Sequence, residues 1–122
     1  MITTGFAFLS PTPKYPNTFH LYIIISIVDT KALLVNVTTK KASSDVSCVL
    51  QVGDHDFINR ESVINYGEAI IAEIDNLKEA LRKREIKPKN PVTEDLLIKI
   101  LKGARNSKAF RQGYLKYLPI VS

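Results

Sequence analysis

His20, Thr38, Thr39, Lys40 and Lys41 are the residues whose types and spacing best suit chemistry in this sequence. A histidine titrates near neutrality without help and can take or give a proton there; His20 and His55 are the two available. A pair of threonine hydroxyls followed by two lysines offers hydrogen-bond donors and positive charge. Such a set suits cleavage of a phosphodiester. A base takes the ribose 2′-OH proton, an acid protonates the leaving oxygen, and hydroxyls and cations hold the phosphate. The same residues also fit a strand-end histidine and a Thr-Thr turn with no chemistry.

Two apolar runs would have to position this set. Over residues 20–28, Leu21, Ile23, Ile25 and Ile27 alternate with His20, Tyr22, Ile24 and Ser26. Both faces are then largely apolar, which predicts an interior strand of a barrel or sandwich. Asp29-Thr30-Lys31 reads as a turn, and residues 32–38 return as a second strand. In an antiparallel pair joined by a tight turn, the start of one strand lies beside the end of the other. His20 is thereby expected beside Thr38, Thr39, Lys40 and Lys41.

The rest of the chain supplies shorter elements. A first strand over residues 1–9 is weakened by Gly5, and Pro11, Pro13 and Pro16 keep the next segment irregular. Residues 46–52 read as a third strand with Val46, Cys48 and Leu50 facing one way, followed by a Gly53-Asp54 turn and short strands at 55–58 and 62–66. Residues 69–86 fit one long helix through Ile70, Ile71, Ile74, Leu77 and Leu81. They also fit a strand over 69–74 and a helix that starts at Asn76 under an Asp75 cap, and an order of short strands closing a barrel selects this second reading. Residues 87–91 read as a Pro-bounded linker. The clearest helix spans 92–102, with Thr93 as cap, Glu94 and Asp95 in the first turn and Gly103 at its end. Ser107 is placed to cap a last helix carrying Phe110, Tyr114, Tyr117 and Leu118. The expected class is mainly β with C-terminal helices (α+β): an SH3-like small β-barrel over 1–86 and a helical extension over 87–122 packed on it.

Composition narrows the function classes. At 122 residues the chain is one domain. Its longest apolar run is too short to span a bilayer, its first residues lack the basic region of a secretory signal, and its one cysteine forms no internal disulfide and no multi-cysteine metal site. A reducing, cytoplasmic setting follows as the expectation. Up to Tyr66 the charges balance, so all of the net +5 lies in the second half, and beyond Asp95 there are bases but no acids. A basic end suits a polyanion such as RNA, and equally a solvated helix face. Lys99, Lys102, Arg105, Lys108 and Arg111 recur every third position, a step about 60° short of a full helical turn, so they spiral instead of forming one stripe. The segment from Leu96 to Leu118 fits either a partner-binding stripe or docking back on the barrel. Asp54-His55-Asp56 is read as a structural turn and not a metal site, because neighbours on a strand diverge. No P-loop, G-x-G-x-x-G, HExxH or G-x-S-x-G occurs.

One resemblance joins these pieces. His20-Leu-Tyr-Ile-Ile-Ile-Ser26, Leu34-Val-Asn-Val-Thr-Thr39, Ser62-Val-Ile-Asn-Tyr66 and Ile71-Ala-Glu-Ile-Asp75-Asn-Leu77 follow one another in an order and spacing that resembles the MazF/PemK family of toxin endoribonucleases. The resemblance covers roughly residues 19–81. It implies an SH3-like barrel of a type II toxin–antitoxin system, usually a homodimer, that cleaves single-stranded RNA without metal or cofactor and is blocked by an antitoxin. It also implies roles: His20 as acid or base, Thr38 as a catalytic phosphate contact, Thr39, Lys40 and Lys41 in RNA binding. His20 stands where the family has arginine, and Leu21 where it has proline. The alternative is a non-catalytic nucleic-acid- or protein-binding barrel module with no enzyme activity.

Overall fold

The computed structural model describes residues 2–120. Its frame is the hairpin of β2 (Phe19–Val28) and β3 (Lys31–Thr39), with Val28 opposite Lys31 and Tyr22 opposite Asn36. The tight turn at Asp29 and Thr30 works because Asp29 takes the left-handed conformation (φ 56°), which a short polar side chain tolerates better than a bulky one. β1 (Ala7–Pro11) pairs with β2, and β7 (Lys87–Lys89) pairs with β1. The free edge of β3 is shared. Its first half takes β6 (Ile70–Glu73) and its end takes β5 (Ser62–Ile64), on which lies β4 (Val49–Leu50). The result is a seven-stranded antiparallel sheet in the order β4-β5-β3-β2-β1-β7, with β6 on β3. The sheet is open: β4 and β7 end it and do not pair with each other. With α1 (Ile74–Arg82), α2 (Glu94–Asn106) and two short 3-10 turns (Tyr66–Glu68 and Gln112–Tyr117), the fold is α+β and mostly antiparallel sheet.

Each sheet face carries its own core. Leu21, Ile23, Leu33 and Val35 pack under α2, against Leu96, Ile100, Leu101 and Ala104. Phe8, Tyr22, Ile24, Ala32 and Leu34 pack with Leu77 of α1 and with Ile86. Helices on both faces explain why β2 and β3 are apolar on both sides. A β-bulge between Ile24 and Ser26 changes the simple alternation. Ile25 joins the α2-side core, Ser26 pairs with Leu33 of that same side, and Ile27 packs in the α1-side cluster. The extra residue therefore moves Ile27 off the face that strict alternation assigns it. Ser26 uses its position to donate to the Tyr117 carbonyl, which ties the C-terminal segment to the sheet.

Several local expectations are corrected. The first strand begins at Ala7, past Gly5, and runs to Pro11, where only β2 flanks it, so the missing N–H breaks no second ladder. The third strand shrinks to Val49–Leu50. Asp45 folds the chain before it by accepting from Ser47 N–H (2.9 Å) and Ser47 Oγ (2.6 Å). Residues 55–58 form a turn, not a strand, with Ile58 N–H donating to the His55 carbonyl. The linker at 87–91 contains edge strand β7, and Pro88 is tolerated on that edge. Strand then helix is the observed order after Ala69, but α1 begins at Ile74 with Glu73, not Asp75, at its N-cap. Thr93 does cap α2, accepting from Leu96 N–H at 3.2 Å.

Gly103 does not end α2; it lies inside the helix, which runs on to Asn106. A Cβ there would sit 2.2 Å from Tyr66 Oη and 2.9 Å from the Ser47 carbonyl, so glycine is what lets the helix press onto the sheet. Tyr66 is fully buried at that contact and donates to the Ile100 carbonyl at 2.6 Å. After α2, the expected last α-helix is only a 3-10 turn, and Ser107 serves as the α2 C-cap while its Oγ accepts from Phe110 N–H. The basic residues of this region have structural uses: Lys99 donates to the Val49 carbonyl (2.5 Å) and Arg105 to those of Leu118 and Pro119. No helix among the described residues is long and apolar enough to cross a membrane.

Candidate functional site

The open end of the β2–β3 hairpin carries the polar groups singled out above. Carrying the Tyr22–Asn36 register two residues further sets His20 across from Thr38, and on its other side His20 pairs with Ser10 of β1. The two strands end here without a covering helix, and the gap is a cleft of about 190 Å³ lined by His20, Thr38, Thr39, Phe57, Arg60 and Ser62, among others. A second cleft of about 350 Å³ adjoins it. Lys14, Tyr15, Lys41, Asn65 and Glu68 line that one, and Thr38 and Thr39 line both. The threonine pair is thus the ridge between two connected depressions.

His20 is half-buried, and its ring stacks on Tyr15 with centroids 5.9 Å apart. Its Nδ1 is buried and has no hydrogen-bond partner among the described residues. A buried ring nitrogen without a partner is costly to a fold unless something else uses it. The structure therefore brings His20, Thr38 and Thr39 together and puts Lys41 in the adjoining cleft. Lys40 behaves differently. Its ammonium pairs with Glu61 at 3.4 Å, and neither cleft includes it. Hydrogen bonds from Gln51 and Lys40 hold the Glu61 carboxyl below the usual range, which keeps a negative charge beside Lys40.

Arg60 and Phe57 were not among the residues selected from the sequence, and both line the His20 cleft. They arrive there because β5 pairs with the end of β3, Thr39 opposite Ser62, which draws residues 57–60 across the cleft mouth. Among the described residues no carboxylate pairs with Arg60. Lys14 and Tyr15 come from the proline-bounded loop after β1. The available signal for Arg60 was its place two residues before the Ser62-Val-Ile segment; the pairing of that segment with Thr39 is a non-local contact that periodicity does not encode.

The remaining reactive types are committed elsewhere. His55 is buried, its Nε2 donates to the Asn90 carbonyl at 2.6 Å, and its Nδ1 accepts from Phe57 N–H at 3.0 Å. Both nitrogens of the Asp54-His55-Asp56 turn are thus spent on holding the chain, and among the described residues no group of three His, Cys, Asp or Glu is placed to hold a metal ion. Cys48 is buried and burial pushes its thiol up, away from the reactive thiolate. Burial and the nearby Glu68 charge likewise raise the Tyr22 phenol. At Asp45, burial opposes ionisation. The hydroxyls of Ser107 (2.5 Å) and Ser47 and the Ser47 N–H outweigh it and keep the carboxyl low.

The arrangement sets one imidazole, the hydroxyls of Thr38 and Thr39 among others, and a guanidinium without a carboxylate partner among the described residues around one cleft. No family model matches the chain, and no curated protein matches it.

Proposed function

We propose that this protein is a metal-independent endoribonuclease resembling the MazF/PemK toxins, and that it cleaves single-stranded RNA at the open end of the β2–β3 hairpin. The observation that carries the reading is that His20, Thr38 and Thr39 open into one cleft. His20 takes the proton from a ribose 2′-OH, and the freed oxygen attacks the adjacent phosphorus. The bond to the 5′ oxygen breaks, and the imidazolium returns the proton to that leaving group, so a 2′,3′-cyclic phosphate and a 5′-OH result with charge and atoms conserved. Thr38 and Thr39 donate to the phosphate oxygens as negative charge builds. Lys41 supports them electrostatically, and Lys40 contributes less because Glu61 holds it.

The sheet is read as an SH3-like barrel left open between its β4 and β7 edges. In the same reading the protein works as a homodimer in the cytoplasm, and an antitoxin protein neutralises it by covering the His20 cleft. Purified protein is expected to cut a labelled single-stranded RNA in the presence of EDTA. His20→Ala should lower that rate by roughly 10²–10⁴-fold with an unchanged melting temperature, and cleavage at the wild-type rate removes the assignment. Induced expression should arrest growth, and the variant should not. A second reading, a non-catalytic nucleic-acid- or protein-binding module, draws on Tyr15, whose ring lies against that of His20. Its signature is RNA binding without cleavage, equal in wild type and His20→Ala.

A further inference from the structure

The most exposed aromatic side chains of the described residues are Tyr15 (48%), Phe19 (42%) and Phe57 (40%), and all three line the paired clefts. The other aromatic rings are more buried; Phe8, Tyr22, Tyr66 and Phe110 belong to the cores. Scattered surface apolar residues need no explanation. Three exposed rings gathered at one end of the sheet, among cations and beside a threonine ridge, do. Phe19 and Phe57 line the His20 cleft, and Tyr15 lines the Lys41 cleft with its ring against that of His20. Cations accompany the rings: Lys87 Nζ lies 5.1 Å from the Phe19 centroid and Lys14 Nζ 5.8 Å from that of Tyr15. The Phe57 backbone is also anchored. Its N–H donates to His55 Nδ1, and His55 is itself anchored to the Asn90 carbonyl, so the His55 turn fixes the Phe57 backbone at the cleft.

We propose that these rings are nucleobase platforms, so that the RNA lies across the Thr38–Thr39 ridge with one flanking base unstacked onto Phe57 and the other onto Tyr15. Arg60, which lines the same cleft as Phe57 and has no carboxylate partner among the described residues, holds a phosphate of the same strand. It supplies there the permanent charge that His20 does not. An aromatic platform accepts any base by its π-face, and the bases of a duplex are already stacked on one another. The partner that fits is therefore a single strand with little base preference at the platforms. The proposal rests on reading the clefts as an RNA site, yet it concerns binding and not cleavage.

The test uses the full chain and a fluorescent single-stranded oligonucleotide with 2′-deoxyribose throughout, which that chemistry cannot cut. Affinity is read by anisotropy over a salt series, beside a duplex of the same sequence. Phe57→Ala and Tyr15→Ala should each weaken single-strand binding by about 5- to 100-fold, with Phe57→Tyr near wild type. Arg60→Ala should lower the slope of log K against log salt by about 1. Wild-type affinity in both alanine variants, equal affinity for duplex and single strand, or no binding of the single strand at low salt overturns the proposal. Cleavage of an all-ribose strand is scored separately. Binding that depends on the rings without any cleavage would leave the platforms standing and remove the nuclease. Cleavage with unimpaired binding by the variants would do the reverse.

Discussion

Lys40 and Lys41 are neighbours in the sequence with different electrostatic surroundings. Lys40 is held by Glu61, while Lys41 lines the cleft beside Tyr15 and the threonine ridge. A cation that releases counterions from RNA must give up no carboxylate to do so, hence the two should differ in measured binding. Lys41→Ala is expected to weaken binding of a single-stranded RNA and reduce the salt slope by about 1. Lys40→Ala should change both less, and equal effects in a salt titration would show that Glu61 does not restrain Lys40. At this scale the sequence was informative where contacts are local to the hairpin. The tight turn alone brings His20 to the Thr38–Thr39 pair, opposite Thr39, and the bulge at Ile25 shifts it by one residue to face Thr38. Arg60 and Phe57 were invisible because they reach the cleft through the pairing of β5 with β3, and the antiparallel rule does not say which later segment takes the free edge. The histidine turn misled in a smaller way, since residues 55–58 follow the Gly53-Asp54 turn as a returning strand would, but the Phe57 N–H goes to a side chain.

At the scale of elements, the contact that seats α2 on the sheet is Gly103 against Tyr66. The helix axis must approach until Tyr66 Oη reaches the Ile100 carbonyl, and only a residue without Cβ leaves room. Gly103→Ala would gain helix propensity of about 1 kcal/mol in an exposed helix, but here the new methyl meets a fixed phenol and backbone oxygen. The overpacking cost of typically 1–3 kcal/mol should win, giving a lower midpoint in urea. Tyr66→Phe removes the obstructing oxygen, so the double variant should be more stable than the two single losses summed; strict additivity in that cycle would mean that the oxygen is not what Gly103 accommodates. A glycine near a run of apolar residues reads as a helix end when only the sequence is considered, and the helix continued because the buried partner lies 37 residues earlier in the chain, at position 66. Elements whose reasons are local, such as β2, β3 and the Thr93-capped start of α2, were legible. The bulge at Ile25 was not, since Ile23, Ile24, Ile25 and Ile27 are alike and either face would accept them.

Across the whole molecule, the segment from β7 onward completes the core that the hairpin begins. β7 extends the sheet on β1, and Leu96, Ile100, Leu101, Ala104, Phe110 and Leu118 share one buried cluster with Leu21, Ile23 and Val35. Each large apolar side chain of that set contributes about 1.5–3 kcal/mol on burial. Together they match the entire margin of about 5–15 kcal/mol by which an ordinary domain is stable. Their removal also uncovers the strand residues beneath them. A chain cut after Ile86 is therefore expected to lose cooperative folding: circular dichroism in urea should give a broad, shallow change and the protein should expose apolar surface to a dye. A sharp transition in that shortened chain would mean that the α1-side core is sufficient alone, with Phe8, Tyr22, Ile24, Leu34 and Leu77 as its whole support. The outcome also bears on the clefts. They are built from the ends of β2, β3 and β5 and from the loops beside them, and none of their lining belongs to α2. Helix α2 thus acts on the site by holding the sheet that presents it, while Lys87 and Asn90 at the start of the segment reach it through Phe19 and His55, and loss of RNA binding on truncation should be at least as large as the loss of the folded state measured on the same samples.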